Sequence, residues 1–277
     1  MILSDRGPFS QILKAPIGGR PEKPRKTGFT MVIDKGLGFY ELRDVLEVAS
    51  SYIDVVKFGF GTSPMYPEHI LRRKLCLLED MAVSVMPGGT LAEIAYTQDV
   101  FEAYVRLCRK LGFNAVEISD GTIELAADER RRLIAHAKAE MPLVISEVGK
   151  KLQGDVDIVA YARGVLADLD AGADYVVVEG RESGEGVGVF DASGTVQDDL
   201  VDTFLVELPT WAQEKVIWEA PKKAQQVAFI QRIGPTVNLG NIPPSDVIAL
   251  ECLRQGFRAD TFTLTLPEHP HHSPEGK

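Results

Sequence analysis

The chain has few of the features that mark extracellular, membrane or nucleic-acid-binding proteins. Its 3 cysteines are far apart, with no Cys-x-x-Cys pair and no histidine spaced for zinc, so we expect buried, reduced thiols. No run approaches the ~18 apolar residues that a membrane span needs. The formal charge of −10 disfavours binding to nucleic acid or to an anionic membrane. We therefore expect a cytoplasmic protein that binds neither.

What the chain does contain is a repeated alternation of short apolar runs with amphipathic stretches. This pattern is typical of βα units around a parallel sheet, and 277 residues suffice for one (β/α)8 barrel. The eight predicted strands lie near residues 28–34, 53–58, 82–87, 114–119, 142–147, 174–179, 215–219 and 235–240. Helical spacing fills the gaps, although a Gly-rich loop at 180–194 delays the helix after the sixth strand. We predict an α/β fold with a single (β/α)8 TIM barrel.

The two ends of the chain differ in composition from this pattern. Residues 18–26 are rich in Pro, Gly and basic residues, and residues 267–277 carry three histidines among prolines. Such segments rarely pack, and a histidine tail without a scaffold is more often solvated than metal-binding. We expect a partly mobile N-terminal extension at 1–26, a catalytic barrel at 27–264 and a flexible tail at 265–277.

Acidic side chains recur where the apolar runs end. Asp34, Asp120, Glu147, Glu179 and Glu219 all take such positions. The carboxyl ends of barrel strands meet at one mouth, where active sites of these barrels lie. One such acid often only caps a helix or pairs with a lysine. The last three follow consecutive strands, however, and clustered carboxylates repel unless a positive charge lies between them.

Two sources of positive charge fit this cluster, Mg²⁺ and lysine. Mg²⁺ prefers oxygen ligands, while the candidate lysines are Lys35, Lys57, Lys150, Lys151 and Lys222. Lys57 interrupts an apolar strand, where a lysine must be paired or functional. Lys150 and Lys151 follow Glu147 by three and four residues, so either can move a proton or act only as a charge.

Glycine-rich turns are candidate anion sites. The loop after the sixth strand contains Arg181, Ser183 and Gly184; a guanidinium can grip phosphate with two parallel bonds, and glycines let backbone N–H groups approach. A flexible hinge explains the same composition equally well. Gly88 and Gly89 predict a second anion nest or a plain tight turn. Asn238, after the last apolar run, is a further polar group that we expect at the mouth to bind substrate.

Several segments together carry a family resemblance. They are Val32-Ile33-Asp34-Lys35-Gly36, Val56-Lys57-Phe58-Gly59, Pro87-Gly88-Gly89-Thr90-Leu91, Val116-Glu117-Ile118-Ser119-Asp120-Gly121, Glu147-Val148-Gly149-Lys150-Lys151, Glu179-Gly180-Arg181-Glu182-Ser183-Gly184 and Glu219-Ala220-Pro221. This set closely resembles the phosphosulfolactate synthase family over about residues 28–262. The resemblance implies a barrel that adds sulfite to phosphoenolpyruvate with Mg²⁺, giving (2R)-phospho-3-sulfolactate for coenzyme M or sulfolactate biosynthesis.

The resemblance also implies partners, and the chemistry that it implies leads us to assign roles to the residues of the mouth. The partners are the two small anionic substrates and further copies of the chain in a homo-oligomer, for which a trimer is the candidate form. Glu147, Glu179 and Glu219 would bind the metal, and Lys150 or Lys151 would protonate C2 of the substrate. Arg181 and its loop would bind phosphate, and Lys57 or Lys35 the carboxylate or sulfite. Two alternatives remain open: another Mg²⁺-dependent lyase or aldolase acting through an enolate, and a noncatalytic stress-related homologue.

Overall fold

The computed structural model describes residues 7–149 and 157–265, in which eight parallel strands form one nearly closed barrel with helices outside it. The predicted (β/α)8 fold is confirmed. The strands are β1 Thr30–Asp34, β2 Val55–Phe58, β3 Ser84–Pro87, β4 Ala115–Ile118, β5 Leu143–Val148, β6 Tyr175–Val178, β7 Val216–Glu219 and β8 Asn238–Ile242. The helices are α1 Phe39–Ala49, α2 Glu68–Asp80, α3 Gly89–Thr97, α4 Phe101–Leu111, α5 Ala127–Glu140, α6 Ile158–Ala171, α7 Asp198–Val206, α8 Thr210–Gln213, α9 Lys223–Ile233, α10 Val247–Gln255 and α11 Ala259–Phe262.

Two of the differences from the sequence-based expectation bear on the barrel mouth. Strand β8 begins at Asn238 instead of residue 235, so its polar residues shift relative to the barrel mouth. Helix α3 was not predicted: Gly88 is its N-cap and Gly89 its first residue, where we expected only a nest or a turn. No helix in the described part of the chain is both long and apolar enough to cross a bilayer.

The strand order β3-β2-β1-β8-β7-β6-β5-β4 places β3 and β4 at the two ends of the hydrogen-bonded sheet. These two strands nevertheless lie side by side. The Asn114 side chain bridges them, since its Oδ1 accepts a hydrogen bond from Val85 N at 2.7 Å. The barrel is therefore closed at this seam partly by side chains.

The barrel interior is layered along its axis. Its apolar cluster consists of Phe29, Met31, Val55, Met86, Ala115, Ile145, Tyr175, Val177 and Ile217. Successive residues of a strand point to opposite faces, so the residue two positions beyond each inward aliphatic also points inward. On five strands that next inward residue is charged: Lys57, Glu117, Glu147, Glu179 and Glu219. A charged layer thus lies on an apolar floor.

The N-terminal segment lies across the amino end of the barrel. Arg20 Nε is 3.0 Å from Glu251 Oε1, Lys23 Nζ donates to Ile53 O at 2.7 Å, and Arg25 Nη1 is 3.2 Å from Asp54 Oδ2. The expectation that residues 18–26 are mobile does not agree with these bonds to the barrel. Residues 1–6 and 266–277, which include the histidine tail, lie outside the described residues.

Candidate active site

A cavity of about 390 Å³ opens at the carboxyl ends of the strands, directly above the apolar floor. Its walls come from all eight strands or the segments that directly follow them. The residues that line it are Ile33, Lys57, Phe60, Gly89, Thr90, Glu117, Thr122, Glu147, Glu179, Arg181, Glu182, Glu219 and Asn241. The expected mouth site therefore exists as a cavity, and the predicted metal ligands line it together.

The Lys57 ammonium is the centre of the charged layer. It donates to Glu117 Oε1 at 2.8 Å, to Glu219 Oε1 at 3.2 Å and to Glu147 Oε2 at 3.4 Å. All four side chains are at least 90% buried. An ammonium has three N–H donors, and each is directed at a different carboxylate. Lys57 thus holds three acidic strand positions together and has no further donor for a substrate.

Backbone amides of the mouth loops donate to one further oxygen each of Glu117, Glu219 and Glu179. Gly89 N, at the start of α3, donates to Glu117 Oε2 at 2.5 Å, and an anion is favoured at a helix N-terminus. Gly180 N donates to Glu219 Oε2 at 2.9 Å, and Arg181 N donates to Glu179 Oε1 at 2.7 Å. The carboxylates therefore fix the loops after β3 and β6 in place.

Burial and the oppositely charged partners have opposite effects on the pKa values of Glu117 and Lys57. Burial raises the pKa of the Glu117 carboxyl to about 7, although the Lys57 ammonium opposes the rise. Burial also acts to lower the pKa of Lys57, but Glu117, Glu219 and Glu147 outweigh it and hold that pKa well above its usual value. Lys57 thus stays protonated throughout the physiological range, while Glu117 is poised to exchange a proton.

Three carboxylates are placed to hold a metal ion. Glu147, Glu179 and Glu219 are all buried, and each offers an oxygen within 4.8 Å of the oxygens offered by the other two. Carboxylate oxygens are the ligands that hard divalent cations prefer. The chemistry and the spacing of this donor set fit such a cation.

Among the predicted substrate-binding residues, Arg181 and Lys35 have different positions. Arg181 lines the carboxylate cavity. Lys35 lies beside a second, smaller hollow and its Nζ is 3.3 Å from Glu182 Oε2, with both side chains about half exposed. Only Arg181 therefore faces the cavity directly.

The glycines that were expected to form anion nests have structural roles instead. Gly88 N donates to Phe58 O at 2.8 Å, and Gly89 N is bound to Glu117. Gly184 O accepts from Gln225 Nε2 at 2.8 Å, and a Cβ on Gly184 would come within 2.5 Å of that nitrogen. Ser183 is exposed and does not line the cavity. These contacts leave Arg181 as the principal anion-binding candidate of its loop.

The expectation for Asn238 was wrong. It begins β8 at the amino end of the barrel, where its Oδ1 accepts from Phe29 N at 3.0 Å and its Nδ2 donates to Glu214 O and Val216 O, each at 2.9 Å. Its carboxamide is thus used in closing the sheet. The error came from placing β8 about three residues too early.

Two acids at strand ends also serve the scaffold. Asp34 is completely buried outside the cavity, where its Oδ2 is 2.5 Å from the Nζ of Lys74 in α2 and its Oδ1 accepts from two loop amides. Asp120 Oδ1 accepts from Arg130 Nη1 at 2.9 Å. Lys150 and Lys151, the predicted proton donors, lie outside the described residues.

Comparison with known proteins places this geometry in a family. The sequence profile of (2R)-phospho-3-sulfolactate synthase (ComA) matches residues 18–260. The chain belongs to this family. It is 45% identical over 250 residues to the phosphosulfolactate synthase of Methanothermobacter thermautotrophicus, which covers 88% of this chain and 94% of that protein. The same level of identity, over 238 residues, relates it to the phosphosulfolactate synthase of Methanocaldococcus jannaschii, which covers 85% of this chain and 94% of that protein.

More distant likeness supports the fold alone. The structure of 3-hexulose-6-phosphate synthase from Salmonella typhimurium superposes with a TM-score of 0.52 at 17% identity. The superposition covers 86% of this chain and 94% of that one. Shared barrels host unrelated chemistries, so this match adds nothing about the reaction.

Among the polar residues that line the cavity of this chain, Glu117 and Asn241 were not predicted as site residues from the sequence. The signal for Glu117 was available: it follows Ala115 by two residues, which puts it in phase with the inward positions of β4. It was missed because only the polar residues directly after the apolar run, Ser119 and Asp120, were considered. Asn241 had no such signal, because simple alternation in β8 would turn it away from the interior.

The raised pKa of Glu117 predicts a pH-dependent gain in stability on Glu117→Gln. In the unfolded chain this carboxyl loses its proton near 4.5, whereas in the folded protein it does so near 7. Rising pH therefore favours unfolding of the parent between these values, while Gln is neutral throughout. We expect the stability of the variant relative to the parent to rise by on the order of 3 kcal/mol between pH ~4.5 and pH ~7.5.

Urea unfolding in EDTA at a series of pH values measures this difference. A difference that stays constant across the range would contradict the assigned pKa.

Proposed function

We propose that this chain catalyses the addition of sulfite to phosphoenolpyruvate, giving (2R)-phospho-3-sulfolactate. The observation that carries the proposal is the cluster of Glu147, Glu179 and Glu219, two of which bind Lys57, at the mouth of a barrel that belongs to the synthase family. The relatives from two methanogens, both 45% identical to this chain, carry the name of this activity.

Electrostatics support Mg²⁺ as the cofactor. The described residues that line the cavity include two cationic side chains, Lys57 and Arg181, but five carboxylates. Two anionic substrates cannot enter such a cavity favourably unless added positive charge neutralises the acids. We propose that Glu147, Glu179 and Glu219 hold Mg²⁺. When bound, the ion supplies Lewis-acid stabilisation of negative charge that develops on the substrate.

The reaction requires one new C–S bond and one new C–H bond. The sulfite sulfur donates its electron pair to C3, and the C2–C3 π pair moves onto C2 and the adjacent carboxylate. C2 then takes up a proton. The residues of this chain serve the step by placing positive charge beside the carboxylate and an acid beside C2. Lys57 contributes indirectly, since its three donors keep the acidic side chains in position.

The proposed acid is Lys150 or Lys151, which follow β5 directly in the sequence. A cationic ammonium can both stabilise the enolate and deliver a proton. We expect Lys150→Met or Lys151→Met, whichever removes the donor, to lower turnover by about 100-fold or more, with substrate binding still measurable by calorimetry. Lys110→Met, on the outer helix α4, is the matched control. Unchanged turnover in both mouth variants would exclude this assignment.

Arg181 is the proposed phosphate ligand. Its backbone is fixed by the bond from its N to Glu179 Oε1, and its side chain lines the cavity. A guanidinium suits phosphate because it offers parallel donors in one plane.

Arg181→Ala is expected to raise the KM for phosphoenolpyruvate about 10-fold or more, the loss of one charge-assisted contact, and to leave the KM for sulfite nearly unchanged. Initial-rate kinetics with each substrate varied in turn measure both constants. Arg106→Ala, which removes an exposed arginine from α4, should change neither. An unchanged KM for phosphoenolpyruvate would place the phosphate elsewhere.

The activity itself is tested with the purified full chain. Phosphoenolpyruvate consumption, followed by mass spectrometry of the product, should require both sulfite and Mg²⁺ and should stop with EDTA. Consumption without sulfite would favour a different enolate enzyme. No reaction by folded protein under any of these conditions would favour a noncatalytic homologue.

The wider biology remains a prediction. A role in coenzyme M or sulfolactate biosynthesis and assembly into a homo-oligomer such as a trimer rest on family resemblance, whereas a cytoplasmic location rests on composition. Size-exclusion chromatography with light scattering would test the assembly, and a monomer at micromolar concentration would contradict it.

A further inference from the structure

Strand β8 has an irregularity beside the cavity. Thr30 pairs with Leu239 and Val32 with Ile242, so one residue on β1 faces two on β8 between these pairs. One of these two, Asn241, has φ +53°, in the left-handed region. An extra residue of this kind is a β-bulge, which re-aims side chains and is frequent next to active sites.

The bulge changes the direction of one side chain. Leu239 and Ile242 both pack in the outer core between strands and helices. Strict alternation after Leu239 would send Asn241 into that apolar layer and Ile242 into the barrel. With the bulge, Asn241 lines the carboxylate cavity instead. The strained backbone therefore serves to deliver a carboxamide to the site.

One end of this carboxamide has a partner and the other has none. Asn241 Nδ2 donates to Arg181 O at 3.4 Å, which orients the amide because two oxygens placed there would repel. Asn241 is only 3% exposed. Its Oδ1 is buried and accepts no hydrogen bond from any described residue. A buried acceptor without a partner is unfavourable, so a bound group must satisfy it.

The character of that bound group follows from its chemistry. Phosphoenolpyruvate and sulfite present mainly acceptor oxygens, which an amide oxygen repels. A cation, or water that a cation polarises, is the complementary partner. A neutral amide also adds an oxygen without adding a further negative charge to the acidic layer.

We propose that Asn241 Oδ1 faces the divalent cation site formed by Glu147, Glu179 and Glu219 and binds the hydration shell of the ion. The inference rests on the proposed function, because it assumes the metal site. Asn241 is thereby a positioning residue for the metal and links the site to the Arg181 loop.

Mn²⁺ affinity is the test, measured from the loss of the free-ion electron paramagnetic resonance signal on titration into the full chain. Asn241→Gly keeps a backbone that tolerates positive φ and removes the carboxamide, so we expect Mn²⁺ to bind about 10-fold or more weakly. Asn241→Asp retains an acceptor oxygen and tolerates the same backbone, so it should bind Mn²⁺ at least as well as the parent. Asp99→Gly, an exposed residue with φ +57° outside the cavity, is the matched backbone control and should not change the affinity.

The possible outcomes separate the two proposals. Parental affinity in Asn241→Gly would overturn the role of Asn241 while leaving the metal site intact. Weaker binding in Asn241→Asp than in Asn241→Gly would show that an acceptor oxygen at this position does not favour the ion, which also overturns it. No Mn²⁺ binding by the parent would overturn the proposed metal site itself.

Discussion

The buried ammonium of Lys57 is the interaction on which the mouth of this barrel depends. Carboxylates removed from water repel strongly unless a positive charge lies among them. Lys57 reaches across the interior and binds acids from β4, β5 and β7 at once. The apolar floor beneath it excludes water on that side, which strengthens these contacts. The second oxygen of Glu117 accepts from Gly89 N and that of Glu219 from Gly180 N, so the mouth loops take their positions from the same layer.

Without a ligand, the charges of this buried layer are not balanced. One ammonium does not balance the acids that surround it. Burial is the main cause of the raised pKa of Glu117, and the charges of Glu147 and Glu219 add to it against the opposing effect of Lys57. A divalent cation would supply the missing charge and make the cavity receptive to anions. Backbone strain is concentrated at the same place, since Phe60, Arg181 and Asn241 all have positive φ and all line the cavity. Such strain is typical of sites where function constrains the chain.

Much of the fold followed from periodicity, and so did part of the site. Alternating apolar and amphipathic segments located all eight strands, and Glu147, Glu179 and Glu219 were found because strand ends converge in a barrel. Contacts that depend on three-dimensional detail were not accessible. The sequence predicted that Gly89 and Gly184 could bind an anion. Instead, Gly89 N donates to Glu117 Oε2 and Gly184 O accepts from Gln225 Nε2. The bulge in β8, which moves Asn241 into the cavity, cannot be recognised from the pattern of apolar residues in the sequence.

We propose that Glu147, Glu179 and Glu219, beside Lys57, form a site for one divalent cation at the barrel mouth. The most direct measurement is anomalous X-ray diffraction from crystals of the full chain grown with Mn²⁺. We expect one strong anomalous peak among the oxygens of Glu147, Glu179 and Glu219, with Lys57 still bound to Glu117. A peak elsewhere only, or none in crystals whose cavity is open to solvent, would contradict it.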